Sequence, residues 1–89
     1  MAQPAQREQA SFSSLVLMLG TAALAHLGAS AGPGQEQAKP DLGEARHLIG
    51  WLEILKEKTE GRLSEEERML LEQLLYEVRM RYLAAERAT

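Results

Sequence analysis

Apolar residues recur at the three- and four-residue steps of an α-helix in the C-terminal half of the chain. One set lies within residues 42–59 and consists of Leu42, Ala45, Leu48, Ile49, Leu52 and Leu55. A second set lies within residues 65–86 and consists of Leu70, Leu71, Leu74, Leu75, Val78 and Tyr82. Each set falls on one side of a helix, so the pattern predicts two amphipathic helices over these ranges.

Polar residues at the ends of both sets are typical of helix caps. Asp41 can cap the first helix, with Glu44 three residues further on, and Gly61 can adopt the left-handed conformation in which helices often end. Ser64 and Glu67 have the spacing of a capping box for the second helix. The boundaries of both helices are therefore predicted from cap chemistry as well as from periodicity.

The two predicted helices are joined by a short connection, about residues 60–63. A connection of this length favours helices that lie side by side and run in opposite directions. We therefore expect residues 41–87 to form an antiparallel helical hairpin with a leucine-rich seam.

The N-terminal half contains a third apolar segment of a different kind. Residues 11–28 carry no Asp, Glu, Lys or Arg and include the run FSSLVLMLGTAALAHLG. Apolar residues surround this helix on nearly all sides, a pattern typical of a helix in a protein core or in a membrane. Polar residues 1–10 precede it, and a linker with glycine and proline, residues 29–40, follows it. We expect disorder in both flanking segments.

The apolar segment has three interpretations. Residues 11–31 are long enough for a single membrane anchor, although neither aromatic belts nor a positively charged flank accompany them. The segment also resembles a signal peptide, with Arg7 before the apolar run and the small residues 29–31 before Gly32. The third interpretation is a helix buried by protein, with the hairpin on one side and a second copy of the chain on the other. We favour the third interpretation and expect a cytoplasmic protein.

Composition narrows the expected function further. The 89 residues include 13 acidic and 10 basic side chains, for a net charge of −3, with one tryptophan, two tyrosines and one phenylalanine. Such a chain has neither the basic field nor the aromatic platform of a nucleic-acid-binding protein. It has no cysteine and two histidines, so we expect neither a disulfide nor a metal or other cofactor. A small core without these supports is most readily completed by oligomerisation.

Several residues could carry chemistry, but each has a simpler structural role. His26 lies near the end of the apolar helix, and His47 lies on a charged helix face. Glu53 and Glu57 form a carboxylate pair of a kind that charged helices often produce, and the acidic run 65–67 complements a helix dipole. Because no nucleophile and base form a recognisable set, we predict no catalytic residue, no metal site and no enzymatic activity.

The sequence therefore favours an all-α, three-helix protein that acts as a non-catalytic, self-associating interaction module. A homo-oligomer is expected, together with an unidentified protein partner, and no nucleic acid. The single tryptophan, Trp51, is either a packing anchor between subunits or a hot spot for a protein partner, and we favour packing between subunits. The predicted interface residues are Phe12, Leu15, Val16, Leu19, Trp51, Leu52, Leu55, Leu71, Leu74, Leu75 and Val78.

Most of the chain, from about Phe12 to Leu83, resembles a bacterial family called domain of unknown function 1844. The resemblance lies in LGTAAL within the apolar segment, in LKEKTEG and LSEEE around the predicted turn, and in LLY within the last helix. Gly50 and Arg62 depart from it, since the family pattern often has aspartate and asparagine there. The resemblance implies no activity, but it does imply that the apolar segment is a retained, structured helix.

Overall fold

A computed structural model describes residues 10–28 and 40–88 of the chain. These residues form three α-helices and no strand: α1, Phe12–His26; α2, Leu42–Lys58; and α3, Glu65–Ala88. The prediction of an all-α protein with three helices is confirmed, and the predicted boundaries lie within two residues of the observed ones. Disorder is expected in residues 1–10 and 29–40, and all of these except Ala10 and Pro40 lie outside the described residues.

Side-chain caps fix the starts of the helices. The Asp41 carboxylate accepts a hydrogen bond from the backbone N–H of Glu44 at 3.1 Å, as predicted for α2. Ser64 and Glu67 form the predicted capping box of α3: the Ser64 hydroxyl accepts from the Glu67 N–H at 3.1 Å, and the Glu67 carboxylate accepts from the Ser64 N–H at 2.9 Å. These bonds satisfy N–H groups that have no partner within the helix.

Backbone geometry is well defined at the described residues next to the helix ends. Gly61 has the predicted left-handed conformation, with φ of +78°, and the connection from α2 to α3 turns there. Gly28, just after α1, has φ of +86°. The backbone N–H of Asp41 donates to the carbonyl oxygen of His26 at 2.7 Å. This bond joins the end of α1 to the start of α2.

The core lies where the three helices meet, since every pair of helices is in contact. Its buried residues are Val16, Leu19 and Ala23 of α1, Ile49 and Leu52 of α2, and Leu71, Leu75 and Val78 of α3. Burial of each large side chain stabilises the fold by about 1.5–3 kcal/mol. One side of α1 is therefore covered by the helices of its own chain.

Two polar contacts join α2 to α3 beside the core. Arg46 donates two hydrogen bonds to the Tyr82 hydroxyl, at 2.9 and 3.0 Å, and this hydrogen bonding raises the pKa of the Arg46 guanidinium above its ordinary value. Arg79 donates two bonds to one carboxylate oxygen of Glu53, at 2.7 and 3.2 Å. Glu53 lies further along α2 than Arg46, and its partner Arg79 lies nearer the start of α3 than Tyr82.

α1 approaches α3 closely at Gly20. A Cβ atom placed on Gly20 would lie 2.3 Å from Cδ2 and 2.6 Å from Cγ of Leu74. These distances are well inside van der Waals contact, so the Leu74 side chain occupies the space that any other residue at position 20 would need. Any other residue at position 20 would therefore require the Leu74 side chain to shift.

Gly20→Val should destabilise the protein by about 1–3 kcal/mol, because the added methyl groups overpack against Leu74. Gly50→Ala is the matched control. No atom lies within 4 Å of a Cβ added to Gly50, and alanine is favoured over glycine in a helix by about 1 kcal/mol, so this variant should gain stability. Urea unfolding followed by circular dichroism compares the two. A Gly20→Val protein as stable as wild type would contradict the close contact between α1 and α3.

Candidate protein-interaction surfaces

The structure divides the predicted interface residues into buried and exposed groups. Six are buried among the helices of their own chain: Val16, Leu19, Leu52, Leu71, Leu75 and Val78. Three more are partly buried against that core: Phe12, Leu55 and Leu74. Leu15 and Trp51 are exposed, at 37% and 48%. In the folded chain, nine of the eleven predicted interface residues thus contribute to the intramolecular core, and Leu15 and Trp51 stay exposed.

The side of α1 that points away from the core is uncovered by the rest of the described chain. Its residues are Ser14, Leu17, Met18, Thr21, Ala22 and Ala25, and we call this surface the α1 face. Met18 is 60% exposed and Leu17 is 41% exposed. The α1 face contains no charged side chain, although 26% of the whole chain is charged.

α3 also carries an exposed apolar surface, which sequence periodicity did not reveal. Met69, Tyr76, Met80 and Leu83 are 43–67% exposed. Gln73 and Arg87, both exposed, extend this surface, so that its residues follow one another at alternating steps of four and three. We call this surface the α3 stripe: Met69, Gln73, Tyr76, Met80, Leu83 and Arg87.

Trp51 lies on the outer side of α2 and contacts a residue of its own helix. The Trp51 and His47 rings pack edge to face, with centroids 5.0 Å apart and planes inclined by 74°. Ile54, one turn further on, is 52% exposed. Trp51 is 48% exposed in the single chain, and its role as an anchor between subunits stays a prediction.

A small pocket of about 140 Å³ lies beside the turn between α2 and α3. Its charged lining consists of Lys56, Arg68, Glu60 and Glu72. Arg68 is already held by two ion pairs, to Glu65 and, at 3.1 Å, to Glu72, and these hydrogen bonds raise its pKa. Since the positive and negative groups balance, the pocket has no charge that would select an anion or a cation.

Residues 10–28 and 40–88 contain neither a candidate metal site nor a candidate membrane-spanning helix. Within those ranges, no three His, Asp, Glu or Cys side chains are grouped so that they could hold a metal ion. Among the helices that these residues form, none combines the length and the apolar character needed to cross a membrane.

Comparison with known proteins agrees with the resemblance seen in the sequence. Neither the curated proteins nor the solved structures contain a match to this chain. One family model, described as a domain of unknown function, matches residues 9–84, which include all of α1 and α2 and most of α3. On this match, which spans most of the chain, the protein belongs to the domain of unknown function 1844 family.

Proposed function

We propose that this protein is a non-catalytic helical module that self-associates, and that the α1 face is its contact with a second copy of the chain. The observation that carries the proposal is the exposure of Met18 and Leu17 on a surface without charge. In a chain of this composition, a helix face without any charged residue is costly to leave in water, because its apolar area gains nothing from hydration.

The fold of the single chain accounts for only one side of α1. Val16, Leu19 and Ala23 face the other two helices, whereas Leu17 and Met18 have no such cover in the described chain. A second α1 face matches this surface because neither side would bury a charge when the two meet. A charged partner surface would lose hydration without gaining a counter-charge.

The side chains of the α1 face suit a close contact between helices. Ser14, Thr21 and Ala25 are small and lie one or two turns apart on the same side of α1. Small side chains allow two helix axes to approach toward the lower end of the usual 8–10 Å range. Met18 and Leu17 then supply the apolar area, about 1.5–3 kcal/mol for each side chain that becomes fully buried.

α2 and α3 provide the frame that holds α1 in place. We infer that they form an antiparallel hairpin, which is supported by the contacts of Arg46 with Tyr82 and of Glu53 with Arg79. The charged residues of these helices remain on the outside, where they are hydrated. The proposal thus gives α1 an internal face for folding and an external face for assembly, and it leaves room for a further protein partner.

Met18→Arg tests the proposed contact, because it places a charge in the centre of the α1 face without touching the core. We expect the wild-type protein to have a molar mass above the 9.9 kDa of one chain and the variant to have a lower mass than wild type at equal concentration. Light scattering coupled to size-exclusion chromatography measures both masses.

Ile54→Arg is the matched control, since Ile54 is a similarly exposed apolar residue on α2, outside the α1 face. It should leave the mass unchanged. Both variants should keep the helical circular dichroism spectrum of the wild type, because neither side chain is buried. A Met18→Arg protein that keeps the wild-type mass, or an Ile54→Arg protein that loses it, would contradict the proposed contact.

A further inference from the structure

α3 has apolar residues on two opposite sides. Leu71, Leu75 and Val78 are almost fully buried in the core. The α3 stripe lies on the far side of the same helix, where Tyr76 is 67% exposed and Met80 is 46% exposed. The core of the single chain therefore explains the first set of residues and leaves the second without a role.

The spacing of the α3 stripe is suited to packing against a second helix. Steps of four and three residues keep side chains in line along a seam against a second helix, as in a coiled coil. The stripe is about 27 Å long at 1.5 Å per residue from Met69 to Arg87. α3 is already folded by its contacts with α1 and α2, so pairing along the stripe does not require the formation of a new helix.

The distribution of charge along α3 favours one kind of partner helix and one direction. Residues 65–76 contain four glutamates and one arginine, whereas residues 77–88 contain three arginines and two glutamates. A second α3 that runs in the opposite direction places the acidic half of each helix beside the basic half of the other. We propose that the α3 stripe is a second self-contact of this protein, formed with the stripe of another copy in antiparallel orientation.

Individual positions select one register for this pair. With Met69 level with Met80 of the second copy, Glu72 lies on the same flank of the seam as Arg79 of that copy, about 3 Å from it along the helix axis, twice by symmetry. A shift by one heptad would instead place Arg79 beside Arg79 of the second copy. A parallel pair would bring Glu72 beside Glu77. Like charges disfavour both alternatives, so they specify the antiparallel register even though surface pairs add little affinity.

Two separate self-contacts on one chain have a consequence for its assembly. Each contact is made by the same surface on both copies, so each by itself joins two chains. A protein that uses both the α1 face and the α3 stripe therefore forms assemblies of more than two chains. The inference does not depend on the α1 face, because the stripe alone would still produce a dimer.

Cysteine cross-linking tests the contact and its direction, since the natural chain has no cysteine. Met69→Cys protein labelled with ¹⁵N is mixed with unlabelled Met80→Cys protein and oxidised. The antiparallel register predicts disulfides between labelled and unlabelled chains, which intact mass identifies. Disulfides that form mainly between two chains of the same variant would show a parallel pair. In the antiparallel register, residue 69 of one copy lies about 16 Å along the axis from residue 69 of the other, at 1.5 Å per residue, which is beyond the reach of a disulfide.

Mass measurements separate this inference from the proposed contact at the α1 face. The register places Tyr76 of both copies near the centre of the seam, so Tyr76→Arg sets two positive charges close together. We expect Tyr76→Arg and Met18→Arg each to reduce the assembly to two chains, and the double variant to have the 9.9 kDa mass of one chain. A wild-type mass for Tyr76→Arg, together with no cross-link between positions 69 and 80, would overturn the inference while leaving the test of Met18→Arg unaffected.

Discussion

Leu19→Arg should abolish the three-helix fold. Leu19 is 7% exposed and packs within the core. No buried polar or charged residue accompanies it among the described residues, so an arginine there would be buried without a counter-charge. Such burial costs several kcal/mol. A chain of this size has a total stability of roughly 5–13 kcal/mol, so the substitution would remove most or all of it.

The neighbouring substitution Met18→Arg provides the control for this result. It introduces the same charge one residue earlier, but Met18 is 60% exposed on the opposite side of α1. We expect far-ultraviolet circular dichroism and urea unfolding to show a folded Met18→Arg protein and a largely unfolded Leu19→Arg protein. The reverse outcome would mean that α1 turns its other face toward the core.

Leu52→Ala should cause the next largest loss of stability. Leu52 of α2 is 0% exposed and is among the largest fully buried side chains in the described chain. Truncation removes buried methyl groups and leaves a cavity, which together cost about 2–5 kcal/mol. For a domain of this length, each 1 kcal/mol corresponds to about 4–8 °C. Thermal unfolding should therefore show a midpoint at least 8 °C or so below that of the wild type.

Ile54→Ala is the control for Leu52→Ala on the same helix. Ile54 is 52% exposed, so its truncation should change the free energy of unfolding by only about 0.5 kcal/mol. Equal losses for the two variants would show that the core does not centre on Leu52. The comparison is informative because both side chains are aliphatic and only their burial differs.

Cap residues and periodicity predicted the helices because both signals are local. The capping box of Ser64 and Glu67 needs only residues three positions apart, and the structure contains both of its hydrogen bonds. Gly61 likewise has the positive φ expected of a helix end. The surface ion pair between Arg81 and Glu77, at 3.0 Å, follows from the same four-residue spacing.

The orientation of α1 could not be predicted in the same way. Apolar residues lie on nearly all sides of this helix, so periodicity does not distinguish Leu15, which is exposed, from Leu19, which is buried. The choice depends on the fit with both α2 and α3, which includes the space that Gly20 leaves for Leu74. Such a contact joins residues far apart in sequence, and no local pattern reports it.

The α3 stripe could not be predicted for a different reason. The inner side of α3 is marked by leucine and valine, which dominate the apolar periodicity of the helix. The outer side is marked by residues of mixed character, such as Met69, Tyr76 and Met80, interrupted by Gln73. Only the burial of the inner set in the single chain shows that the outer set is a separate surface.

The molar mass of the wild-type protein tests the central claim most directly. Sedimentation equilibrium over a range of protein concentrations measures it without any substitution. Self-association predicts a mass above 9.9 kDa that increases with concentration, as expected for a reversible contact. A mass of 9.9 kDa at every concentration would contradict the proposal that this protein is a self-associating module.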